Sequence, residues 1–153
     1  MDRSMFERLL TQAALLVGAS SLVQIRAGGY YLQFTEAFGM GTEFDDSIPR
    51  CVLTADIGRL EENTKVSVME FALAYNYAWE LHGGLRVALD SARDRVALML
   101  DVPLPDMTAQ ELADVLSRFR DAVLAWREAL VAMAESGGAG DRLSLEAMSA
   151  LKV

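Results

Sequence analysis

The sequence predicts an α+β protein in which helices are added to a twisted antiparallel sheet. Three stretches show apolar residues at helical spacing, and short runs with alternating apolar residues lie between them. The connections between neighbouring runs are short, and one contains the pair Gly28-Gly29, which is typical of a hairpin turn. Parallel strands would need crossover connections of about a dozen residues. The predicted order of elements is therefore α-β-β-β-α-β-β-α.

The first predicted helix spans Ser4–Val17, because its apolar residues recur every three or four positions and Gly18 provides a stop. Ser4 and Glu7 match a capping box at its start. A third helix is predicted from a second such box, at Thr108 and Glu111, to the end of the domain.

Five strands are predicted from alternation of apolar residues. The acidic, Gly-rich stretch Glu36–Arg50 is predicted to be a solvated loop, since its spacing does not match a calcium-binding loop. The turn at residues 91–94 joins the last two strands. The strands are predicted at Leu22–Arg26, Tyr30–Thr35, Cys51–Ile57, Leu85–Asp90 and Arg95–Asp101.

The central predicted helix, Val66–Leu81, is apolar on nearly all sides, and Gly83-Gly84 ends it. A helix of this kind must be covered on both sides, whereas an ordinary surface helix has one apolar stripe. Either the chain wraps it entirely, or a second copy of the chain covers its outer side. We predict the second, with a dimer interface at Phe71, Tyr75, Tyr77, Ala78, Trp79 and Leu81.

Length and composition fit one domain over residues 1–135, followed by a Gly-rich linker and tail at 136–153. The net charge of −8 and the scattered Lys and Arg residues argue against binding to nucleic acid. No run is long and apolar enough to suggest a membrane span, and the acidic start does not resemble a secretory signal. The sequence therefore predicts a cytoplasmic protein.

The sequence contains no recognisable catalytic pattern. The single Cys51 lies in a strand pattern, and His82, the only histidine, suits the negative end of a helix dipole. Glu61 and Glu62 are adjacent in a charged loop and form a weak general acid/base pair. We therefore predict no enzyme, no cofactor and no metal site; the alternative is a small enzyme that uses Glu61, Glu62, His82 or the acidic loop.

The central helix and the hairpin after it resemble the class I chaperones of bacterial type III secretion, the Tir-chaperone (CesT-like) family. The similarity covers Ser4–Glu135 and includes the order of elements, the size and the acidic pI of about 4.6. Phe119 and Trp126-Arg127-Glu128 of the third helix are also similar to members of the family. The residues that match its loose pattern are Asn76, Gly84, Leu89, Asp90, Val96 and Leu98.

This resemblance implies a homodimeric bacterial cytoplasmic chaperone that uses no ATP and performs no catalysis. It would bind the N-terminal chaperone-binding region of a secreted effector or translocator, keep it soluble and deliver it to the secretion apparatus, with the secretion ATPase as a further partner. Strand addition to an exposed sheet edge would accommodate varied client sequences. The residues predicted to form the client site are Leu22, Ile25, Tyr30, Leu32 and Phe34. The alternative is a dimeric regulatory or adaptor module without a secreted client, and the alternative for Tyr30, Leu32 and Phe34 is ordinary core.

Overall fold

The computed structural model describes residues 1–91 and 94–135, within which it contains three α-helices and six strands. A 3₁₀ helix, Trp79–His82, follows the second α-helix. The strands form one sheet in the order β1-β2-β3-β4-β6-β5. The elements are α1 (Arg3–Leu16), β1 (Ser21–Arg26), β2 (Gly29–Thr35), β3 (Phe38–Asp45), β4 (Arg50–Arg59), α2 (Lys65–Tyr77), β5 (Arg86–Asp90), β6 (Arg95–Pro103) and α3 (Ala109–Glu135).

The predicted class is confirmed: the protein is α+β, with an antiparallel sheet and three helices. The three helices and the five predicted strands lie where the sequence patterns placed them, with differences at their ends. The tail at 136–153 lies outside the described residues, as do two residues of the turn at 91–94. The division into a domain over 1–135 and a tail therefore stays a prediction.

The loop predicted over Glu36–Arg50 is wrong, because the stretch contains strand β3. Gly39 and Gly41 gave it the appearance of a loop. A Cβ on Gly39 would lie 2.5 Å from the Tyr31 hydroxyl, so glycine here marks the close approach of a ring to the strand. The alternation that identifies the strand was present in the sequence, and its buried members are Phe38, Met40, Thr42 and Phe44.

The chain divides into two compact units. Unit 1 comprises Met1–Ala55 and Leu100–Phe119, and unit 2 comprises Asp56–Met99 and the chain from Arg120 onward. The boundaries between the units fall within β4, β6 and α3.

In unit 1, α1 supplies an aromatic side chain to a core made by consecutive antiparallel strands. The ring of Phe6 stacks on Phe44 at a centroid distance of 5.1 Å and meets the edge of Tyr30 at 5.9 Å. Pairs in these arrangements contribute about 0.5–1.5 kcal/mol each beyond the area they bury. Phe6 and Tyr30 are both buried, so they fix α1 against the strands.

The predicted capping box at the start of α1 is wrong. The N-cap is Asp2, whose Oδ1 accepts a hydrogen bond from Met5 N at 2.8 Å. Ser4 lies inside the first turn because the helix already begins at Arg3. The Asp2 carboxylate takes the place expected for the Ser4 hydroxyl, since either side chain can accept from the orphan amides of a helix start.

In unit 2, the C-terminal half of α3 packs against α2. The Trp126 ring lies 5.1 Å from Phe71 and 5.0 Å from Tyr75, measured between centroids. The Arg127 guanidinium donates two hydrogen bonds, of 3.1 and 2.8 Å, to the main-chain carbonyl of Asp56. These contacts attach α3 both to α2 and to the end of β4 that belongs to unit 2.

Two helix boundaries bear on the predicted sites. The helix predicted to reach Leu81 ends at Tyr77, and the 3₁₀ helix that follows ends at His82. The next residue, Gly83, has a φ of +61°, which is favourable for glycine. The capping box of α3 is confirmed: Glu111 N donates to Thr108 Oγ1 at 3.2 Å, and Thr108 N donates to the Glu111 carboxylate at 2.8 Å. The hydrogen bonds from Thr108 lower the pKa of Glu111.

Candidate protein-interaction surfaces

The β1 edge, which we define as Ser21–Arg26, is one end of the sheet and pairs with β2. Five of its six residues are exposed, and Val23 and Ile25 are 53% and 62% exposed. Natural proteins protect edge strands with charged residues, Pro or bulges, and β1 contains no Lys or Pro but ends in Arg26. A register shift between Gln24 and Arg26 interrupts the end of the strand, so its regular part is Ser21 to Gln24.

Hydrogen bonds indicate which main-chain groups of the β1 edge face outward. Gln33 O accepts from Ser20 N at 2.7 Å, so the main chain of Gln33 faces β1. Alternate residues of a strand face the same side, so Tyr31 faces β1 as well. The β1 residue opposite Tyr31 therefore bonds to β2. Its neighbours Leu22 and Gln24 direct their N–H and C=O groups away from the sheet.

Apolar side chains extend the β1 edge within unit 1. Leu15 and Leu16, at the end of α1, are 76% and 57% exposed, and α1 contacts β1. Tyr31 is exposed and lies across Gly39, on the side of the sheet opposite to the α1 core. An extended chain lying along β1 would meet apolar groups on both sides.

The structure divides the five predicted client residues into two groups. Ile25 is exposed, and Leu22 and Phe34 are partly exposed. Tyr30 and Leu32 are 2% and 0% exposed, so they are core residues of unit 1 and offer no surface to a client. They face α1 because the alternation of β2 directs them to the same side.

Helix α2 carries apolar residues on two sides. The inner side contains Val68, Phe71 and Tyr75, which are buried. The outer side is an exposed row at helical spacing, which we call the α2 stripe. The residues of the α2 stripe and their exposed fractions are Val66 (68%), Met69 (43%), Leu73 (68%) and Tyr77 (90%).

The residues predicted to form the dimer interface fall on both sides. Tyr77, Trp79 and Leu81 are strongly exposed, and Ala78 is partly exposed. Phe71 and Tyr75 are buried against Trp126. The predicted interface did not include the exposed residues Val66, Met69 and Leu73, although their spacing with Tyr77 identifies a helical row.

The residues considered for catalysis are not assembled into a site. His82 is 1% exposed and stacks on Tyr75, with ring centroids 3.9 Å apart and planes inclined by 10°. Burial raises the pKa of Tyr75 to about 12 and that of the Cys51 thiol to about 12. Glu61 and Glu62 are exposed. In residues 1–91 and 94–135, no three His, Cys, Asp or Glu side chains come together to hold a metal ion.

Asn76 has a role that the sequence did not reveal. Its Oδ1 accepts from Val87 N at 2.8 Å, and its Nδ2 donates to Val87 O at 3.0 Å. The side-chain amide thus pairs with β5 as a neighbouring strand would. An Asn in a helix carries no local signal for this contact, which joins residues eleven positions apart.

The six-stranded α+β fold therefore presents two surfaces suited to binding proteins, an open edge strand and an exposed apolar helix stripe. The chain belongs to the Tir chaperone protein (CesT) family, whose family model matches residues 8–127. This membership confirms the resemblance inferred from the sequence, and with it the predicted class, a type III secretion chaperone. No helix within the described residues is long and apolar enough to cross a membrane.

Two solved structures share the fold. A chain of the HopA1–SchA chaperone–effector complex gives a TM-score of 0.67 at 16% identity, covering 84% of this chain and 98% of that one. A chain of the ExsC–ExsE complex gives a TM-score of 0.69 at 23% identity, covering 84% of this chain and 96% of that one. At these identities the likeness shows the fold. No curated protein matches the chain in sequence.

Proposed function

We propose that this protein binds the N-terminal region of a secreted effector or translocator in extended form, as a homodimer in the bacterial cytoplasm. It keeps the client soluble and delivers it to the secretion apparatus, where the secretion ATPase is a further partner. The protein uses no cofactor and performs no catalysis. The observation that carries the proposal is the β1 edge, an exposed strand that contains Leu22, Val23 and Ile25 and no Lys or Pro.

The β1 edge suits an extended client because its outward main-chain groups bond to any sequence. A client strand would pair with Leu22 and Gln24, and its side chains would alternate between the two sides of the sheet. On one side they would approach Leu22, and on the other Val23 and Tyr31. Main-chain bonds give tolerance of sequence, and the apolar side chains add selection for apolar client residues.

Ordering an extended client costs about 2–5 kcal/mol of the gross interaction energy. A short strand addition offsets little of this, so the client must cover more surface than β1 alone. The exposed Leu15 and Leu16 at the end of α1 provide apolar area in the same unit. At about 25 cal/mol per Å² of apolar area, each hundred Å² covered contributes about 2.5 kcal/mol.

The α2 stripe is the proposed dimer surface. An exposed row of large apolar side chains on a helix that already buries its other side is what a second copy can cover. Trp79 and Leu81 of the 3₁₀ helix continue the apolar surface beyond the end of α2. Aromatic residues such as Tyr77 and Trp79 are enriched among those that contribute most to protein interfaces.

The proposal is tested by capturing the tagged protein from its native host under secretion-inducing conditions, with limited proteolysis and mass spectrometry of the retained proteins. We expect one protected segment from the N-terminal region of a larger protein. The matched variants are Gln24→Pro, which removes one outward N–H of β1 but no hydrogen bond to β2, and Gln24→Val, which keeps that N–H.

We expect Gln24→Pro to weaken binding of the protected segment about tenfold, and Gln24→Val to bind it as the wild type does. Calorimetry with the synthetic segment measures both affinities. Equal binding by the two variants would contradict strand addition at β1. Retention of folded partners through another region would favour the regulatory module and contradict the chaperone proposal.

A further inference from the structure

The two end strands of the sheet differ in how their outer main chain is used. The regular part of β1 directs the N–H and C=O groups of Leu22 and Gln24 outward. On β5, the outward N–H and C=O of Val87 are both bonded to the Asn76 side chain, at 2.8 and 3.0 Å. Both groups must face away from β6, since a residue in an antiparallel strand directs its N–H and C=O to the same side.

Leu85, the preceding residue on the same side as Val87, also has its main-chain N–H bonded. Leu85 N donates to His82 O at 3.2 Å, so the chain leading into β5 is bonded within unit 2. By the same alternation, Leu89 is the next residue whose main chain faces outward. A strand added to β5 would need the groups of Val87, the second of the five residues of the strand.

Packed side chains alone do not fill the space beside the outer edge of β5. A cavity of about 200 Å³ lies between α2 and β5, and Asn76, Leu73, Val87 and Leu89 are among its lining residues. The walls are otherwise apolar, so an unpaired N–H and C=O at Val87 would be costly beside them. The Asn76 amide satisfies both groups and occupies the hydrogen-bonding positions that a strand would take.

We propose that Asn76 closes the β5 edge to strand addition, which leaves β1 as the edge that accepts an extended chain. The second half of this statement rests on the proposed function; the first half does not. Edge strands are templates for pairing between chains, so a protein with one functional edge gains from closing the other. Asn suits this position because its side-chain amide carries one acceptor and one donor group, as a peptide group does.

The test compares the full wild-type chain with Asn76→Ala and a control, Gln33→Ala. Gln33 is also a partly buried amide whose side chain bonds main-chain carbonyls, those of Thr35 and Phe38, but it lies at a strand end in unit 1 and closes no edge. Hydrogen exchange measured by NMR reports the Val87 amide. Analytical ultracentrifugation over a range of protein concentrations reports assembly.

We expect Asn76→Ala to exchange its Val87 amide about tenfold faster and to form assemblies larger than the wild type as concentration rises. Gln33→Ala should keep the wild-type assembly and the wild-type exchange at Val87. Unchanged exchange at Val87 in Asn76→Ala would overturn the proposal, and so would faster exchange without larger assemblies. If Asn76→Ala does not fold, Asn76→Asp, which keeps the acceptor and loses the donor, is judged by the same two readouts. Neither readout uses a client, so this result is separate from the test of the chaperone proposal.

Discussion

Unit 1 and unit 2 present different chemistry to a partner. The β1 edge of unit 1 offers main-chain groups on a strand that no other strand covers on its outer side in the described residues. Unit 2 offers large side chains on the α2 stripe, while Asn76 bonds the main chain of its own end strand. Main-chain groups are the same in every polypeptide, whereas a row of side chains fits only a complementary surface.

This difference suggests a division of labour. A chaperone that serves an extended client needs sequence tolerance, which the proposed strand addition at the β1 edge would supply through main-chain hydrogen bonds. The proposed homodimer has one fixed partner, and the α2 stripe would bind that partner through its exposed apolar side chains. Single substitutions can test the two surfaces independently, because each surface lies within its own unit.

The largest effect is expected in unit 1, where two predicted client residues differ in burial. Leu32→Ala should lower the free energy of unfolding by about 2–5 kcal/mol, because Leu32 is fully buried. Ile25→Ala should change it by less than about 0.5 kcal/mol and weaken binding of the client segment, because Ile25 is exposed. Urea unfolding and calorimetry measure the two quantities. A stable Leu32→Ala would contradict the assignment of this residue to the core.

In unit 2, a charge placed in the proposed dimer surface should separate the subunits. We expect Leu73→Glu and Trp79→Glu to raise the dimer dissociation constant by about 30- to 1,000-fold, the effect of losing an interface hot spot. Val131→Glu is the control, since Val131 is an exposed apolar residue on α3 and not on α2. Analytical ultracentrifugation measures the change. Variants that dimerise like the wild type would place the interface elsewhere.

A smaller effect is expected where Tyr31 crosses β3. Gly39→Ala places a Cβ against the Tyr31 ring, which must move, so we expect a loss of about 1 kcal/mol in the free energy of unfolding. Tyr31→Ala removes the obstacle, so the loss from Gly39→Ala should largely disappear in the double variant. A double-mutant cycle from urea unfolding measures this coupling. Additive losses would show that the two residues do not interact.

The last effect concerns alkaline pH and the inner side of α2. Burial raises the pKa of Tyr75 from 10.0 to about 12, because the neutral phenol is favoured in the folded state. Its contribution to stability is therefore complete below pH 10 and is lost as pH rises towards about 12. Tyr75→Phe should flatten the fall in stability over this window, as measured by urea unfolding. Tyr77→Phe, which leaves the buried hydroxyl in place, should keep the wild-type slope.

Much of the fold could be predicted because its helices and strands follow from patterns among residues close together in the sequence. Helical spacing located three helices, and alternation located five strands. Strand β3 was not predicted because glycines such as those at positions 39 and 41 are typical of loops. At position 39, a long-range contact is the reason for the glycine. The Tyr31 ring approaches Gly39 only once β2 and β3 are paired.

The candidate surfaces were only partly predictable for a related reason. The sequence showed that the central helix is apolar on nearly all sides, and this is a property of its composition. It could not show that Phe71 and Tyr75 face Trp126 while Leu73 and Tyr77 face outward. That choice depends on α3, about fifty residues away along the chain.

The sequence by itself determined the class of fold, the family, and the presence of more apolar helix surface than one short chain readily covers. The tertiary structure alone decided which side of α2 is exposed, which edge of the sheet is open, and that Asn76 bonds Val87. The physical reason is the distance along the chain over which each kind of interaction acts. Propensity and periodicity act between residues a few positions apart, whereas burial and edge pairing depend on residues that meet only when distant parts of the chain pack together.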